Sequence, residues 1–322
     1  MQQKINTWQF IYQSLQQNIE VMLLYVLESK GSSPGRQGFF MAVNADGKMS
    51  GSLGGGIMEH KFVELAKSKL KEPETEISLH QQIHDKSSNK NQSGMICSGE
   101  QTIFLYTVKK ADAVLIEEII SSLIKNENGT VSLSPKGIEF STAIPDKNFE
   151  FKLESENDFL FVEKTGFKNY LYIIGGGHCA LAFSQLMSRM DFFITLIDTR
   201  DELNTIKQND FVHQKIIVDD YNEIANQIKP GKNCYVVIMT VGYRTDTIAL
   251  QALLGKDFAY VGMLGSSSKI KKLIEEFKAN ITDAVWLNAV HAPIGLQIKS
   301  QSVDEIAVSI AAEIIQIKNA AY

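Results

Sequence analysis

Apolar residues recur at helical spacing near the start of the chain, at Ile5, Trp8, Ile11 and Leu15. This periodicity predicts a first helix. The uninterrupted apolar run at residues 21–27 predicts a buried strand after it. We therefore expect the chain to begin with a helix that leads into the interior of a sheet.

Several further elements are predicted before residue 165. The dipeptide Asp46-Gly47 separates two apolar runs, which indicates a β-hairpin. The remaining predicted elements are two helices and two strands, at residues 57–70, 111–126, 75–83 and 101–108. Residues 128–163 hold short alternating runs that could complete this sheet or bridge to the next domain. We place the boundary near Thr165-Gly166, so that residues 1–165 form a smaller N-terminal α+β domain with its connecting segment.

Strands and helices alternate in residues 166–322. The predicted strands begin near Tyr170, Phe192, Lys215, Cys234, Phe258 and Trp286. Such alternation is typical of a doubly wound parallel sheet, and the fold class is therefore α/β. Ser302 and Glu305 form a capping box that opens a final helix.

The stretch from residue 170 to residue 198 combines a strand, a glycine turn, a helix, a second strand and an acid. Gly175, Gly177 and Ala180 supply the G-x-G-x-x-A spacing that permits a tight turn, the approach of a pyrophosphate and close helix packing. Asp198 follows at the position where an acid can accept hydrogen bonds from a ribose diol. This unit predicts a Rossmann-like domain for NAD(P), although methyltransferases that bind S-adenosylmethionine use a similar turn.

Three more residues belong to the candidate cofactor-binding set of this domain. His178 lies within the glycine turn, where it could cap the turn or face solvent. Arg200 could contact a 2′-phosphate, although Asp198 beside it favours NAD over NADP. His291 lies at a predicted strand end that we expect to face the same crevice, as a proton donor or a ligand contact.

Composition narrows the class of protein. The 322 residues are 44% hydrophobic and 21% charged, as in ordinary globular proteins. The net charge of −5 argues against binding to nucleic acid or to an anionic membrane. No apolar run is long enough to cross a bilayer, and the first residues lack the apolar core of a secretory signal. Cys97, Cys179 and Cys234 show no C-x-x-C spacing, so we expect a reduced, cytoplasmic protein.

The first domain has its own candidate site. Gly54, Gly55 and Gly56 precede a predicted helix, so their N–H groups could hold a phosphate or another anion. Glu59 in the first turn of that helix could favour the helix dipole or hold a ligand group. Cys97 lies among small residues before a strand, where a thiolate would be stabilised. The alternative is that the glycines form tight turns without a ligand and that the cysteine is a small buried hydrophobe.

These motifs together resemble the XdhC/CoxI family, the xanthine dehydrogenase accessory proteins. The resemblance covers most of the chain, and its order and spacing make it specific. It rests on Gly31-Ser32-Ser33-Pro34, Gly38, Gly51-Ser52-Leu53-Gly54-Gly55-Gly56, Glu59, Cys97-Ser98-Gly99, Gly175-Gly176-Gly177-His178, Asp198-Thr199-Arg200, residues 260–266, residues 293–296 and residues 304–314.

The resemblance implies a chaperone rather than a catalyst. Such a protein would bind molybdenum cofactor (molybdopterin), support its sulfuration and deliver it to apo xanthine dehydrogenase or a related molybdenum hydroxylase. A homodimer is expected, and a cysteine desulfurase is a further candidate partner. Within this interpretation Cys97 is the soft ligand that approaches the metal.

Two departures from the family pattern bear on the site. Many relatives carry cysteine after the triple glycine, where this chain has Ile57. Many also carry a Thr-His pair where this chain has Thr240-Val241, although Asp246 still matches. The main alternative function is an NAD(P)-dependent oxidoreductase, for which His291 would be the proton relay. A third hypothesis is a regulator that senses a nucleotide without chemistry.

Overall fold

The computed structural model of the protein describes residues 1–33, 35–72, 77–83, 99–280 and 284–320. The chain divides into two compact units, Met1–Gly166 (unit 1) and Phe167–Tyr322 (unit 2). Unit 1 is slightly the longer of the two, so the expectation that the N-terminal domain is the smaller one is wrong. Each unit has its own sheets and its own cores.

Unit 1 contains a five-stranded antiparallel sheet flanked by helices. Its strands are β1 (Val21–Gly31), β2 (Phe40–Asn44), β3 (Met49–Gly51), β4 (Ser78–Ile83) and β5 (Gly99–Thr107), in the order β3-β2-β1-β5-β4. Its helices are α1 (Gln2–Gln16), α2 (Gly56–Lys69) and α3 (Ala113–Ile124), the last of which follows a short 3-10 turn at Lys110–Asp112. The predicted first helix, central strand and hairpin are confirmed.

The central strand β1 contributes to two cores because successive side chains point to opposite faces of a sheet. Leu24 and Val26 pack in the core that holds Met58 of α2. Leu23 and Tyr25 pack in the core that α1 and α3 share. Unit 1 is therefore layered, with α2 on one face of the sheet and α1 and α3 on the other.

Residues 128–163 do not extend this sheet. They form a separate antiparallel sheet of β6 (Thr130–Ser134), β7 (Gly137–Ser141), β8 (Phe149–Ser155) and β9 (Asp158–Lys164), in the order β7-β6-β9-β8. Its Phe161 joins the core of α1 and α3. The buried carboxylate of Glu163 accepts a hydrogen bond from the hydroxyl of Tyr25 and pairs with Lys4 at 2.7 Å. These contacts attach the second sheet to the first within unit 1.

Unit 2 is built on a parallel sheet, which confirms the predicted Rossmann-like fold. Its strands are β10 (Asn169–Ile174), β11 (Phe192–Asp198), β12 (Gln214–Ile217), β13 (Gly231–Ile238) and β14 (Phe258–Met263), in the order β12-β11-β10-β13-β14. The chain moves outward from β10 to β12 and then returns to the other side of β10 with β13. The strand order therefore reverses between β10 and β13, and open α/β sheets bind ligands at such a switch point.

Helices lie between these strands and after the last of them. They are α4 (His178–Met187), α5 (Asn204–Lys207), α6 (Ile224–Gln227), α7 (Tyr243–Ala252), α8 (Ser267–Asn280), α9 (Ala284–Asn288) and α10 (Val303–Ala320). A 3-10 turn at Tyr221–Glu223 precedes α6. The prediction of a strand near Trp286 is wrong, because that residue lies in α9. A short apolar run does not distinguish helix from strand, and the backbone reaches the sheet only at His291, which bridges to Gly262.

The predicted capping box of the last helix is confirmed. The N–H of Glu305 donates to the Ser302 hydroxyl at 3.2 Å, and the N–H of Ser302 donates to the Glu305 carboxylate at 3.2 Å. The buried side chains of Ile310 and Ile314 then pack α10 against α4 on one face of the sheet. Across the part of the chain that the structure describes, no helix has the length and apolar character needed to cross a membrane.

Candidate functional site

The glycine turn of unit 2 lies at the switch point of the sheet. Gly175 follows β10 and packs against the end of β13, where an added Cβ would lie 2.4 Å from the carbonyl oxygen of Met239. The φ angle of Gly175 is +107°, in the left-handed region that favours glycine. No larger residue fits here, so this glycine closes the turn as the sequence predicts.

The next residue of the turn is held on both sides of its Cα by side chains from two other segments. The N–H of Gly176 donates to Oδ2 of Asp198 at 2.6 Å, and its carbonyl accepts from the Thr205 hydroxyl at 2.5 Å. A Cβ on Gly176 would lie 2.4 Å from the side chain of Ile206. The middle of the turn is therefore fixed from both sides by the protein itself.

Open space begins at the third glycine. A Cβ on Gly177 would have no neighbour within 4 Å, and the same holds for Gly242 at the start of α7. His178, the first residue of α4, is exposed. Val241, at the position of the family's histidine, is 73% exposed. The rim of this crevice thus combines free backbone surface with one exposed imidazole and one exposed apolar side chain.

Asp198 is buried at the end of β11, where it is 1% exposed. Its Oδ1 accepts from the backbone N–H and from Nε of Arg200, both at 2.9 Å. Its Oδ2 accepts from Nη2 of Arg200 at 2.8 Å and from the N–H of Gly176 at 2.6 Å. A carboxylate has about four lone-pair sites, so these four donors use all of them. The end of β11 therefore does not fit the ribose contact that the Rossmann fold implies.

The electrostatics of Asp198 agree with this geometry. Burial by itself would raise the pKa of the carboxyl group, but the hydrogen bonds from Arg200 and Gly176 outweigh burial and hold the pKa below its ordinary value. The Arg200 side chain is 37% exposed, and its own pKa is raised chiefly by the hydrogen bond to Asp198. Asp198 therefore remains ionised and paired at neutral pH.

His291 lies at the edge of the sheet rather than beside the glycine turn. It bridges to Gly262 of β14, and β13 separates β14 from β10. Three strand spacings amount to about 14 Å between its backbone and β10. Its Nδ1 lies 3.3 Å from Oε1 of Glu313 in α10, and its ring stacks on Tyr260 with centroids 4.7 Å apart. The assignment of His291 to a cofactor site stays a prediction.

Sequence reasoning missed the rest of this network. The hydroxyl of Tyr260 donates to Oε2 of Glu313 at 2.5 Å, and the N–H of Gly295 donates to the same oxygen at 2.9 Å. Burial and the bond to Glu313 raise the pKa of Tyr260 above its ordinary value. The signal in the sequence was an acid on a helix whose buried side is mostly apolar.

The glycine loop of unit 1 is also held by a carboxylate, that of Glu59 in the first turn of α2. Oε2 of Glu59 accepts from the Ser52 hydroxyl at 2.6 Å, from the N–H of Leu53 at 2.9 Å and from the N–H of Gly55 at 3.0 Å. The predicted position of Glu59, facing the loop, is thus what the structure has. Gly54, Gly55 and Gly56 all have positive φ, with values of 115°, 81° and 76°.

The two glycine-rich loops of unit 1 meet beside Gln101. A Cβ on Gly35 would lie 1.9 Å from the carbonyl oxygen of Leu53. Nε2 of Gln101 donates to the carbonyl of Gly35 at 2.7 Å, whereas its Oε1 is buried without a hydrogen-bond partner among the described residues. Gln101 itself is 2% exposed. Sequence reasoning missed this residue, although an amide inside a strand of Ile, Phe and Leu was visible.

Cys97, the predicted metal ligand, lies outside the described residues. Ile57, at the position of the family's cysteine, is 60% exposed in the first turn of α2. Within the described ranges, no group of three or more His, Cys, Asp or Glu side chains is arranged to hold a metal ion.

Two family models match separate parts of the chain, one in each unit. Residues 171–314 match the model of the XdhC Rossmann domain, and residues 14–81 match that of the XdhC and CoxI family. The chain belongs to the XdhC/CoxI family. Its Rossmann match contains the glycine turn, Asp198 and His291, and its N-terminal match contains the loop of Glu59.

Individual relatives are distant in sequence. The chain is 22% identical over 310 residues to the uncharacterized protein YqeB of Escherichia coli K12, across 94% of this chain and 44% of that protein. It is 24% identical over 159 residues to a protein of Bacillus subtilis 168 described as a probable subunit of xanthine dehydrogenase, across 49% of this chain and 46% of that protein. The chain thus spans less than half the length of the curated relatives it matches.

A solved structure shares the fold over nearly the whole chain. The crystal structure of a protein described as a xanthine dehydrogenase from Bacillus halodurans superposes with a TM-score of 0.71, covers 98% of this chain and 97% of its own, and is 20% identical. At this identity the likeness shows the fold.

Proposed function

We propose that this XdhC/CoxI protein binds molybdenum cofactor, supports its sulfuration and delivers it to xanthine dehydrogenase or a related molybdenum hydroxylase. Family membership supports an accessory role. The observation that carries the proposal is the meeting of the two glycine-rich loops of unit 1 at Gly35 and Leu53, beside the buried acceptor of Gln101.

Gln101 supplies the polar recognition in this proposal. A buried acceptor without a donor costs about 1–3 kcal/mol, and a ligand N–H placed at Oε1 would recover part of that free energy. The pterin of the cofactor carries such N–H groups. Gln101 thus offers an acceptor that no residue in the described part of the chain uses.

The glycine loop has a different part. The carboxylate of Glu59 already accepts hydrogen bonds from the N–H groups of Leu53 and Gly55. These two N–H groups are therefore not available to bind the cofactor phosphate while Glu59 is in place. The loop then forms one side of the proposed binding site, because Gly54, Gly55 and Gly56 carry no side chains that would exclude a flat ring. The hydrogen bonds of Glu59 keep the glycine loop in one conformation.

Cys97 supplies the soft ligand of the proposal. A thiolate suits molybdenum and sulfur, whereas a serine hydroxyl is nearly isosteric and a poor soft-metal ligand. It precedes Gly99, the first residue of β5, by two positions in the sequence. This role rests on the sequence. A homodimer, a cysteine desulfurase partner and a cytoplasmic location complete the proposal.

Cofactor content tests the proposal. The protein purified from a molybdate-replete host should contain molybdenum and pterin, and Cys97→Ser and Gln101→Met should each lower both at least about tenfold, or about 1.4 kcal/mol. The matched control is Gln13→Met, at an exposed glutamine of α1. Thermal unfolding of each variant separates loss of binding from loss of fold. Full cofactor content in both variants would contradict the assignment of this site.

Deletion of the gene tests delivery. The client hydroxylase should then be synthesised but inactive, with its cofactor absent or without the terminal sulfur. The rival oxidoreductase needs a proton relay beside a nicotinamide, and His291, its candidate, is three strand positions from β10. Robust NAD(P)H-dependent turnover of a small carbonyl compound by the purified protein would favour that rival.

A further inference from the structure

Asp198, at the end of β11, has the position of a residue that binds ribose, but its carboxylate oxygens are not free to accept hydrogen bonds from a ligand. Its four hydrogen bonds come from the protein, three from Arg200 and one from the glycine turn. Because all of its acceptor sites are used, a diol could bind Asp198 only by displacing one of these donors.

We propose that Asp198 is a positioning residue that locks the glycine turn and Arg200, and that it binds no ribose diol. The carboxylate holds the N–H of Gly176 on one side and orients the guanidinium of Arg200 on the other. Arg200 thereby withholds the carboxylate from any nucleotide that enters the crevice.

The physical reason is the strength of the internal contacts. Arg200 meets the carboxylate with Nε and Nη2, the two-point geometry that suits a planar guanidinium and a carboxylate. A ribose diol offers two neutral hydroxyl donors in exchange for charge-assisted ones. The exchange would also leave the guanidinium without its carboxylate. The resident arginine therefore outcompetes the diol.

The contacts of Gly176 strengthen the lock. Its carbonyl, which belongs to the following peptide group, accepts from Thr205, and an added Cβ would lie 2.4 Å from Ile206, so Asp198 and α5 each hold one of the two peptide groups that flank its Cα. Displacement of the carboxylate would leave the N–H of Gly176 buried and unpaired, so the turn opposes any movement of the acid toward a ligand. The turn and the acid thus hold each other.

Titration calorimetry with NAD⁺ and its 2′-deoxyadenosine analogue tests the assignment on the intact wild-type protein. A site that hydrogen-bonds a substrate hydroxyl rejects the analogue that lacks it. The wild type should therefore treat the two compounds alike, either by binding neither or by binding both with the same affinity. A preference of about tenfold or more for NAD⁺ would overturn the proposal.

The variant Arg200→Ala supplies the opposite expectation. It leaves the carboxylate in place and removes two of its donors, so NAD⁺ should now bind at least about tenfold more tightly than the 2′-deoxy analogue. Arg189→Ala, which removes an exposed arginine just after α4, is the matched control and should behave as the wild type. If Arg200→Ala still treats the two compounds alike, Arg200 is not what withholds Asp198, and the proposal fails. The result does not depend on binding of molybdenum cofactor in unit 1.

Discussion

The two units hold their glycine loops by the same means but with different strength. In unit 1 the carboxylate of Glu59 accepts from the N–H groups of Leu53 and Gly55. In unit 2 the carboxylate of Asp198 accepts from the N–H of Gly176 and from Arg200. Both loops contain N–H groups that could bind an anion, and in both a side chain of the protein is that anion.

The difference lies in the partners and the burial. Asp198 is almost fully buried and pairs with a cationic guanidinium. Glu59 is half-buried, and the contacts described above are with neutral donors. A ligand anion would therefore displace Glu59 more easily than Asp198. The N–H groups of such a loop can bind a ligand only if the ligand displaces the carboxylate that already accepts hydrogen bonds from them.

The largest effect is expected for the tightest glycine. Gly175→Ala places a Cβ 2.4 Å from the carbonyl oxygen of Met239 at a φ of +107°, so unit 2 should lose about 3 kcal/mol or more. Hydrogen exchange of the amides of β10 and α4 measures this loss. Gly177→Ala is the matched control, since its Cβ meets open space and its φ is −74°. Equal stability of the two variants would mean that the turn is not closed against β13.

A somewhat smaller loss is expected for Asp198→Ala. Removal of this buried carboxylate leaves the N–H of Gly176 unpaired, which should cost about 2 kcal/mol. The same exchange measurement reports it. Asp210→Ala, at an exposed acid of the same unit, should leave protection unchanged. An Asp198→Ala protein of wild-type stability would show that the hydrogen bonds of Asp198 with Gly176 and Arg200 contribute nothing to the stability of the fold.

Glu59→Gln should have a weaker effect, confined to unit 1. The neutral amide keeps one acceptor oxygen, so the expected loss is about 1 kcal/mol. Exchange of the amides of Leu53 and Gly55 should accelerate while β10 of unit 2 keeps its protection. Glu64→Gln, on the exposed side of the same helix, is the control. A loss as large as that of Asp198→Ala would contradict the difference between the two loops.

The smallest effect is a change with pH. Because the folded-state pKa of Asp198 lies below its ordinary value of 3.8, its contribution is present above that pH and is lost as the pH falls through the folded pKa. The stability difference between wild type and Asp198→Ala should therefore be constant from about pH 7 to 5 and shrink below about pH 4. Urea unfolding at a series of pH values measures it. A difference that stays constant as the pH is lowered through 3.8 and well below it would speak against ionisation as its source.

Local patterns in the sequence determined the elements. Helical spacing of Ile5, Trp8 and Ile11, and the capping box of Ser302 and Glu305, predicted α1 and the start of α10 because each involves residues within about one or two turns of one another. The glycine spacing at Gly175 likewise predicted the turn and its helix, and the alternation of strands and helices predicted the parallel sheet.

Only the tertiary structure decided what these elements do together. Trp286 lies in a helix, and residues 128–163 form a sheet of their own, because short apolar runs fit several structures until packing chooses one. The sequence placed Asp198 where a ribose ligand belongs, but the donor from Gly176 comes from 22 residues away and the side chain of Arg200 folds back onto the acid. A sequence pattern specifies which groups are available, and the folded chain decides which of them remain unpaired.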